Sequence, residues 1–175
     1  MDQTITLRIA QETDAAQISA LVQRTVRISN AQDYSAAVIA RVVGSFTAES
    51  VLGFLKSREV LVACRGEAIV GTASLDGDVV RAVFVAPEVQ GMGVGQKLMA
   101  VIKSVAAQNG VQILTVPASL TGKPFYIRLG YSELREVQHG EERTFVMDKP
   151  LSSPCAGKAG VFRSCASNAC LVAAG

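Results

Sequence analysis

The strongest chemical signal in this 175-residue chain is Gln90-Gly91-Met92-Gly93-Val94-Gly95, three alternating glycines between an apolar run and a helical pattern. Glycine adopts backbone angles that other residues avoid, and it lets a ligand approach the main chain. The first N–H groups of a helix have no partner inside it, and they point outward at the positive end of its dipole. Strand, turn and helix in that order make a cradle for a phosphate or pyrophosphate. A lone Gly-x-Gly is often only a tight turn. Three glycines ahead of an amphipathic helix favour an anion site.

Two common phosphate loops fail on named residues. A P-loop closes on Lys and Ser or Thr, whereas Gly95 is followed by Gln96-Lys97-Leu98. A dinucleotide turn needs glycine where Gln96 stands. It also needs an acid after the next strand, which reads Val111-Gln112-Ile113-Leu114-Thr115-Val116-Pro117.

The elements that must position the turn follow from periodicity. Residues 4–9 alternate polar and apolar, as a half-buried strand does. Thr13 and Asp14 can cap a helix to about Val26. A second helix spans roughly 35–43, and Thr47 caps a third to about Lys56. Three strands follow at 60–64, 68–75 and 79–85. Their turns, Arg65-Gly66-Glu67 and Asp76-Gly77-Asp78, have the chemistry of tight hairpins. An antiparallel meander is expected, and a doubly wound nucleotide fold would not supply one. A long helix over 93–109 has Val94, Leu98, Val101, Ile102 and Val105 on one side. Gly110 stops it, and a strand at 111–116 should pair in parallel through a right-handed crossover. A short helix over 121–129 precedes a closing hairpin, 131–138 and 143–147, with its tip at His139-Gly140-Glu141-Glu142.

Bulk properties narrow the class. Length and 49% hydrophobic residues suit one globular domain. A net charge of +2 gives no basic face, so no nucleic-acid partner is expected. Residues 1–6 do not read as a secretory signal, and no apolar run reaches a membrane span. A cytoplasmic protein without a membrane partner is the expectation. The four cysteines and single His139 match no zinc spacing, so no metal is expected.

Together these residues resemble the GNAT superfamily of N-acetyltransferases. Gln90, Gly93 and Gly95 fit its signature of Gln or Arg, two residues, Gly, one residue, then Gly or Ala. Val83-Phe84-Val85-Ala86-Pro87 leads into it as the family's fourth strand does. Phe125-Tyr126-Ile127-Arg128-Leu129-Gly130-Tyr131 is similar to a second family segment. The resemblance implies an α/β (α+β) fold with a mixed central sheet of six to seven strands. The sheet would hold an antiparallel meander plus one splayed parallel pair, with helices on both faces. Residues 1–151 would form the domain. Residues 152–175, rich in Ser, Ala, Gly and Cys, would be a flexible extension.

The implied chemistry is direct acetyl transfer from acetyl-CoA to a small-molecule or protein amine. Acetyl-CoA would act as co-substrate, lying between the two splayed strands. Carried over by position, Val83, Phe84 and Val85 would meet the pantetheine arm with main-chain groups. Amides of Gly91, Met92, Gly93, Val94, Gly95 and Gln96, introduced by Gln90, would hold the pyrophosphate. Ser119 would touch the pantetheine arm. Tyr126 would be the catalytic residue, donating to the leaving thiolate. Its unperturbed pKa, about 10, exceeds a thiol's ~8.5, so it holds its proton at neutral pH. A non-catalytic acyl-CoA sensor of the same fold is the alternative. The resemblance leaves room for a homodimer.

An attacking amine must be neutral, so a base or a water chain must take its proton. Asp76, Asp78, Glu88, Glu49 and His139 are candidates, each with a plainer role in a turn, a cap or a hairpin tip. Tyr34, Phe46 and Phe54 read as core more readily than as an acceptor pocket. No dense acidic run marks a polycationic acceptor.

Overall fold

A computed structural model describes residues 4–151. The extension from Ser152 and its three cysteines lie outside the described residues. Seven strands form one sheet: β1 (Ile5–Ile9), β2 (Glu59–Arg65), β3 (Ala68–Asp76), β4 (Val79–Val85), β5 (Ile113–Ser119), β6 (Ser132–His139) and β7 (Glu142–Pro150). Their spatial order is β1-β2-β3-β4-β5-β7-β6. Only β4 and β5 run parallel; the other pairs are antiparallel.

Helices α1 (Ala15–Ser29), α2 (Ala36–Ser45) and α3 (Ala48–Ser57) precede the meander. Ser35 and Thr47 start α2 and α3 by accepting from the N–H groups of Val38 and Ser50. This satisfies donors that the helix leaves orphaned. Asp14 accepts from the Gln11 N–H at 2.7 Å and pairs with Arg8 through both oxygens, fixing the entry to α1. The Arg8 guanidinium holds the Asp14 carboxyl below its ordinary value.

Helix α4 (Val94–Gln108) covers the opposite face, with α5 (Lys123–Arg128) beyond it. The alternation of β3 shows the division. Gly71 lies under Leu98 and Val94 of α4, where a Cβ would stand 3.1 Å from each. Its neighbour Thr72 turns to the face of Ile18, Val22 and Phe46. One continuous core results. No single helix among the described residues is long and apolar enough to cross a membrane.

Two of the boundaries that differ from the sequence reading do so for clear local reasons. Strand β5 starts at Ile113, not Val111, because the Val111 N–H closes the end of α4 on the Ala106 carbonyl. The last hairpin turns on Gly140 and Glu141 alone. His139 pairs with Glu142, and Glu142 is 1% exposed instead of sitting at the tip.

Candidate active site

Strands β4 and β5 meet at their starts and then part. Val79 faces Thr115, and the Thr115 N–H donates to the Asp78 carbonyl at 2.9 Å. No later residue of β4 pairs with β5. A bulge in β4 accompanies the parting. Ser74 faces Arg81 and Thr72 faces Phe84, so Ala82 and Val83 oppose the single residue Ala73. Ala82 adopts φ +51°, a left-handed angle that costs a non-glycine residue about 1–2 kcal/mol. A bulge bends its strand and strengthens the local twist. Ala82 was not legible as a special position, because nothing in an alanine announces a positive φ.

Pro117 marks the other arm. The Thr115 N–H points toward β4, so by the period of two the nitrogen of Pro117 points the same way. Proline has no N–H to donate and is tolerated at a sheet edge. Beyond Thr115 that side of β5 is such an edge. A proline inside a strand pattern was the one available sign of the splay.

Beyond the bulge the ladder to β3 resumes. The Ala86 N–H donates to the Val70 carbonyl, which places Ala86 and Phe84 on the β3 side. Val85 therefore faces the open side, and its carbonyl accepts from Gln90 Nε2 at 2.9 Å. The Phe84 ring packs on Phe46, centroids 5.5 Å apart. Val83 follows the bulge directly and is buried.

The glycine turn begins where β4 ends. A short 3-10 turn (Pro87–Val89) leads to Gln90, whose amide also donates to the Ser29 hydroxyl at 3.0 Å. Gln90 thus ties β4 to the end of α1. Gly91 and Gly93 adopt φ +76° and +78°, and Gly93 caps α4. Met92 and Gln96 are exposed, and Val94 is buried. The Lys97 N–H is the first inside the helix, donating to Gly93. The amides of Val94, Gly95 and Gln96 remain free of helical partners. Glu88 beside this turn is engaged by Arg24 at 2.7 Å, which lowers its pKa.

Gly95 has a different role from the other two glycines. A Cβ there would stand 3.0 Å from the Phe125 ring. Its bareness admits Phe125, so the two sequence segments that carried the resemblance touch at this point. Tyr126 is 0% exposed, with its ring edge-on to Phe125 and Tyr131 at 5.1 and 5.5 Å. The Ser119 hydroxyl accepts from the Gly122 N–H, shaping the turn into α5.

The base candidates scatter. Asp76 lies between Arg58 and Arg81 at the closed end of the V. Asp78 occupies the same turn, Glu49 is exposed in the first turn of α3, and His139 is exposed on the last hairpin. Tyr34 and Phe46 are buried, and Phe54 packs edge-on to Phe46. The burial of Glu142 and Asn30 has no signal in the sequence: Glu142 reads as a hairpin tip, and Asn30 is ordinary in a polar loop.

With this geometry in place, the comparisons are decisive for the family. The family described as "Acetyltransferase (GNAT) domain" matches residues 30–148. The chain belongs to the GNAT acetyltransferases. A GCN5-related N-acetyltransferase structure from Rhodopseudomonas palustris superposes with a TM-score of 0.80 at 26% identity. The match covers 86% of this chain and 99% of that one. A PaiA N-acetyltransferase from Thermoplasma acidophilum, in complex with coenzyme A, gives 0.74 at 16%, covering 84% and 99%. A putative acetyltransferase from Acinetobacter baylyi gives 0.70 at 15%, covering 90% and 99%. Comparison with curated proteins gives no match. The mixed seven-stranded sheet with one parallel pair is the GNAT fold.

Proposed function

We propose that this chain is an acetyl-CoA-dependent N-acetyltransferase, moving an acetyl group directly from the thioester to a primary amine. One observation carries the reading. The only parallel pair in the sheet opens, and the glycine turn stands where its β4 arm ends. The opening suits a pantetheine arm, and the turn suits a pyrophosphate. The coenzyme A in the Thermoplasma relative supports the choice of donor.

Acetyl-CoA supplies the activated acyl group. Amides of Gly91 and of Gly93 to Gln96 bind its pyrophosphate, whereas the Met92 N–H donates to the Val89 carbonyl and shapes the turn. Main-chain groups of Val83 and Val85 line the arm. Phe84 acts through its ring in the core. Ser119 serves the arm by shaping the β5 end of the opening. A main-chain N–H beyond the Ala82 bulge supports the thioester oxygen as charge develops there. Tyr126 is the proton donor to the departing sulfur. Its burial keeps water away from that transfer.

Thermal shift tests the donor. Acetyl-CoA at 100 times its Kd stabilises a native state by about 2.7 kcal/mol. A shift with NAD or ATP, and none with coenzyme A species, overturns the reading. Free-thiol release across an amine panel then tests the transfer. Tyr126→Phe should lower kcat with little change in acetyl-CoA affinity; unchanged kcat removes Tyr126 from the reaction.

A further inference from the structure

The wide end of the V is closed by a strap, residues 30–35 between α1 and α2. The Tyr34 hydroxyl donates to the Arg143 carbonyl at 2.9 Å and accepts from the Leu120 N–H at 2.7 Å. Asn30 Nδ2 donates to the Thr121 hydroxyl, and that hydroxyl donates to Asp33. The Ser35 hydroxyl donates to Glu141. Behind the strap, Arg41 of α2 pairs with Glu142 of β7.

Two oxygens in this region lack a donor. Glu142 is 1% exposed; one carboxylate oxygen takes the Arg41 guanidinium, and Oε1 accepts nothing from any described residue. Asn30 is 0% exposed, and its Oδ1 is likewise unanswered. A buried oxygen without a donor is costly, and most buried polar atoms have partners. Each atom is an acceptor, so each calls for a donor, and for the Glu142 carboxylate a cation is the stronger one. The charge around them agrees. The fold brings Asp33, about a hundred residues distant in sequence, to Glu136, Glu141 and Glu142 of the last hairpin, with Arg41, Arg143 and Lys123 as the facing cations.

Position decides which donor. Ser119 pairs with Thr144 and Pro117 with Val146, so Thr144 and Val146 flank the β5 arm. Glu142 shares their face of β7, two residues beyond Thr144, or about 7 Å along the strand. Glu142 thus lies beyond the residue opposite Ser119, which the proposed function sets on the pantetheine arm, and the offset suits a second cation on the same acceptor.

We propose that Glu142 binds a second ammonium of the acceptor, and that the acceptor is an alkyl diamine or a compound of that charge pattern. The proposal rests on the N-acetyltransferase reading. Oε1 is out of water with the strap in this position. Entry of the acceptor therefore requires the Ser35–Glu141 and Thr121–Asp33 bonds at the surface to open.

The test measures free-thiol release by the full chain with acetyl-CoA and either 1,4-diaminobutane or n-butylamine, which differ only in the second ammonium. The expected kcat/KM ratio favours the diamine about thirtyfold, as for a buried charge contact. Glu142→Gln should bring that ratio near one with acetyl-CoA affinity unchanged. A general loss of packing would lower both rates and leave the ratio alone. Should the single variant fold poorly, Arg41→Gln with Glu142→Gln removes both charges together and is expected to give the same ratio. A wild-type ratio near one, a ratio kept in the folded variants, or acetyl-CoA binding with no turnover of either amine overturns the proposal. Failure of the wild-type chain to bind acetyl-CoA strikes the N-acetyltransferase reading instead.

Discussion

The two arms of the V end on different principles, β4 in the glycine turn and β5 beside the strap. The glycine turn is local and made of main chain: Gln90 to Gln96 supply its angles, its amides and its helix end. The strap is long-range and made of side chains. Tyr34 reaches Arg143, and Arg41 reaches Glu142, across about a hundred residues of sequence. A main-chain site depends on which residues lack a Cβ. A side-chain site depends on which charges and hydroxyls the fold happens to bring together. Substitutions should therefore damage the two ends in different ways.

The largest effect is expected behind the strap, in α2. Arg41→Ala leaves the buried Glu142 carboxylate unpaired. Breaking a buried pair costs about 3–5 kcal/mol, and half-exposure of Arg41 places this case near 3. Denaturant unfolding should show the loss with donor affinity unchanged in the folded fraction. A loss under 1 kcal/mol would show that water solvates Glu142, which weakens the contrast between the ends.

Gly95→Ala probes the other end. Its methyl would stand 3.0 Å from Phe125, an overpacking worth about 1–3 kcal/mol. Because Phe125 backs the turn, acetyl-CoA affinity should fall as well. Full affinity in a destabilised variant would separate Gly95 from the donor site.

Tyr34→Phe removes one hydroxyl that serves two main-chain groups. About 1–3 kcal/mol is expected for leaving buried polar groups unanswered. KM for the amine should change more than acetyl-CoA affinity. Equal changes in both would mean that the strap supports the whole V.

These differences explain what was legible. The meander, the crossover and the glycine turn rest on short patterns, and periodicity and turn chemistry exposed them. Gly91 and Gly93 read as conformational residues, and both have positive φ. Gly95 looked like a third of the same kind, yet its neighbour is Phe125, thirty residues away. The bulge at Ala82 and the burial of Glu142 had no local signal. Each depends on a partner strand or helix that only the folded chain supplies.

A smaller effect, outside both ends, checks the frame that carries them. Asp14 has a folded pKa held below its unfolded value by Arg8. Its stabilisation is complete above about pH 4 and is lost as pH falls through the folded pKa. Asp14→Asn should lower stability at neutral pH and flatten that part of the acid limb. An unchanged acid limb would assign the limb to other carboxylates.

The central claim is that the glycine turn and the splayed pair together hold an acyl-CoA. Calorimetric titration of acetyl-CoA into the wild-type chain and Gly93→Val tests it most directly. At φ +78° a branched side chain opposes the angle that aims the amides of α4. The account expects saturable one-to-one binding in the wild type, and binding weakened by about tenfold or more (about 1.4 kcal/mol) in the variant. Equal affinity in both, or a wild-type chain that takes ATP or NAD in place of acetyl-CoA, would contradict it.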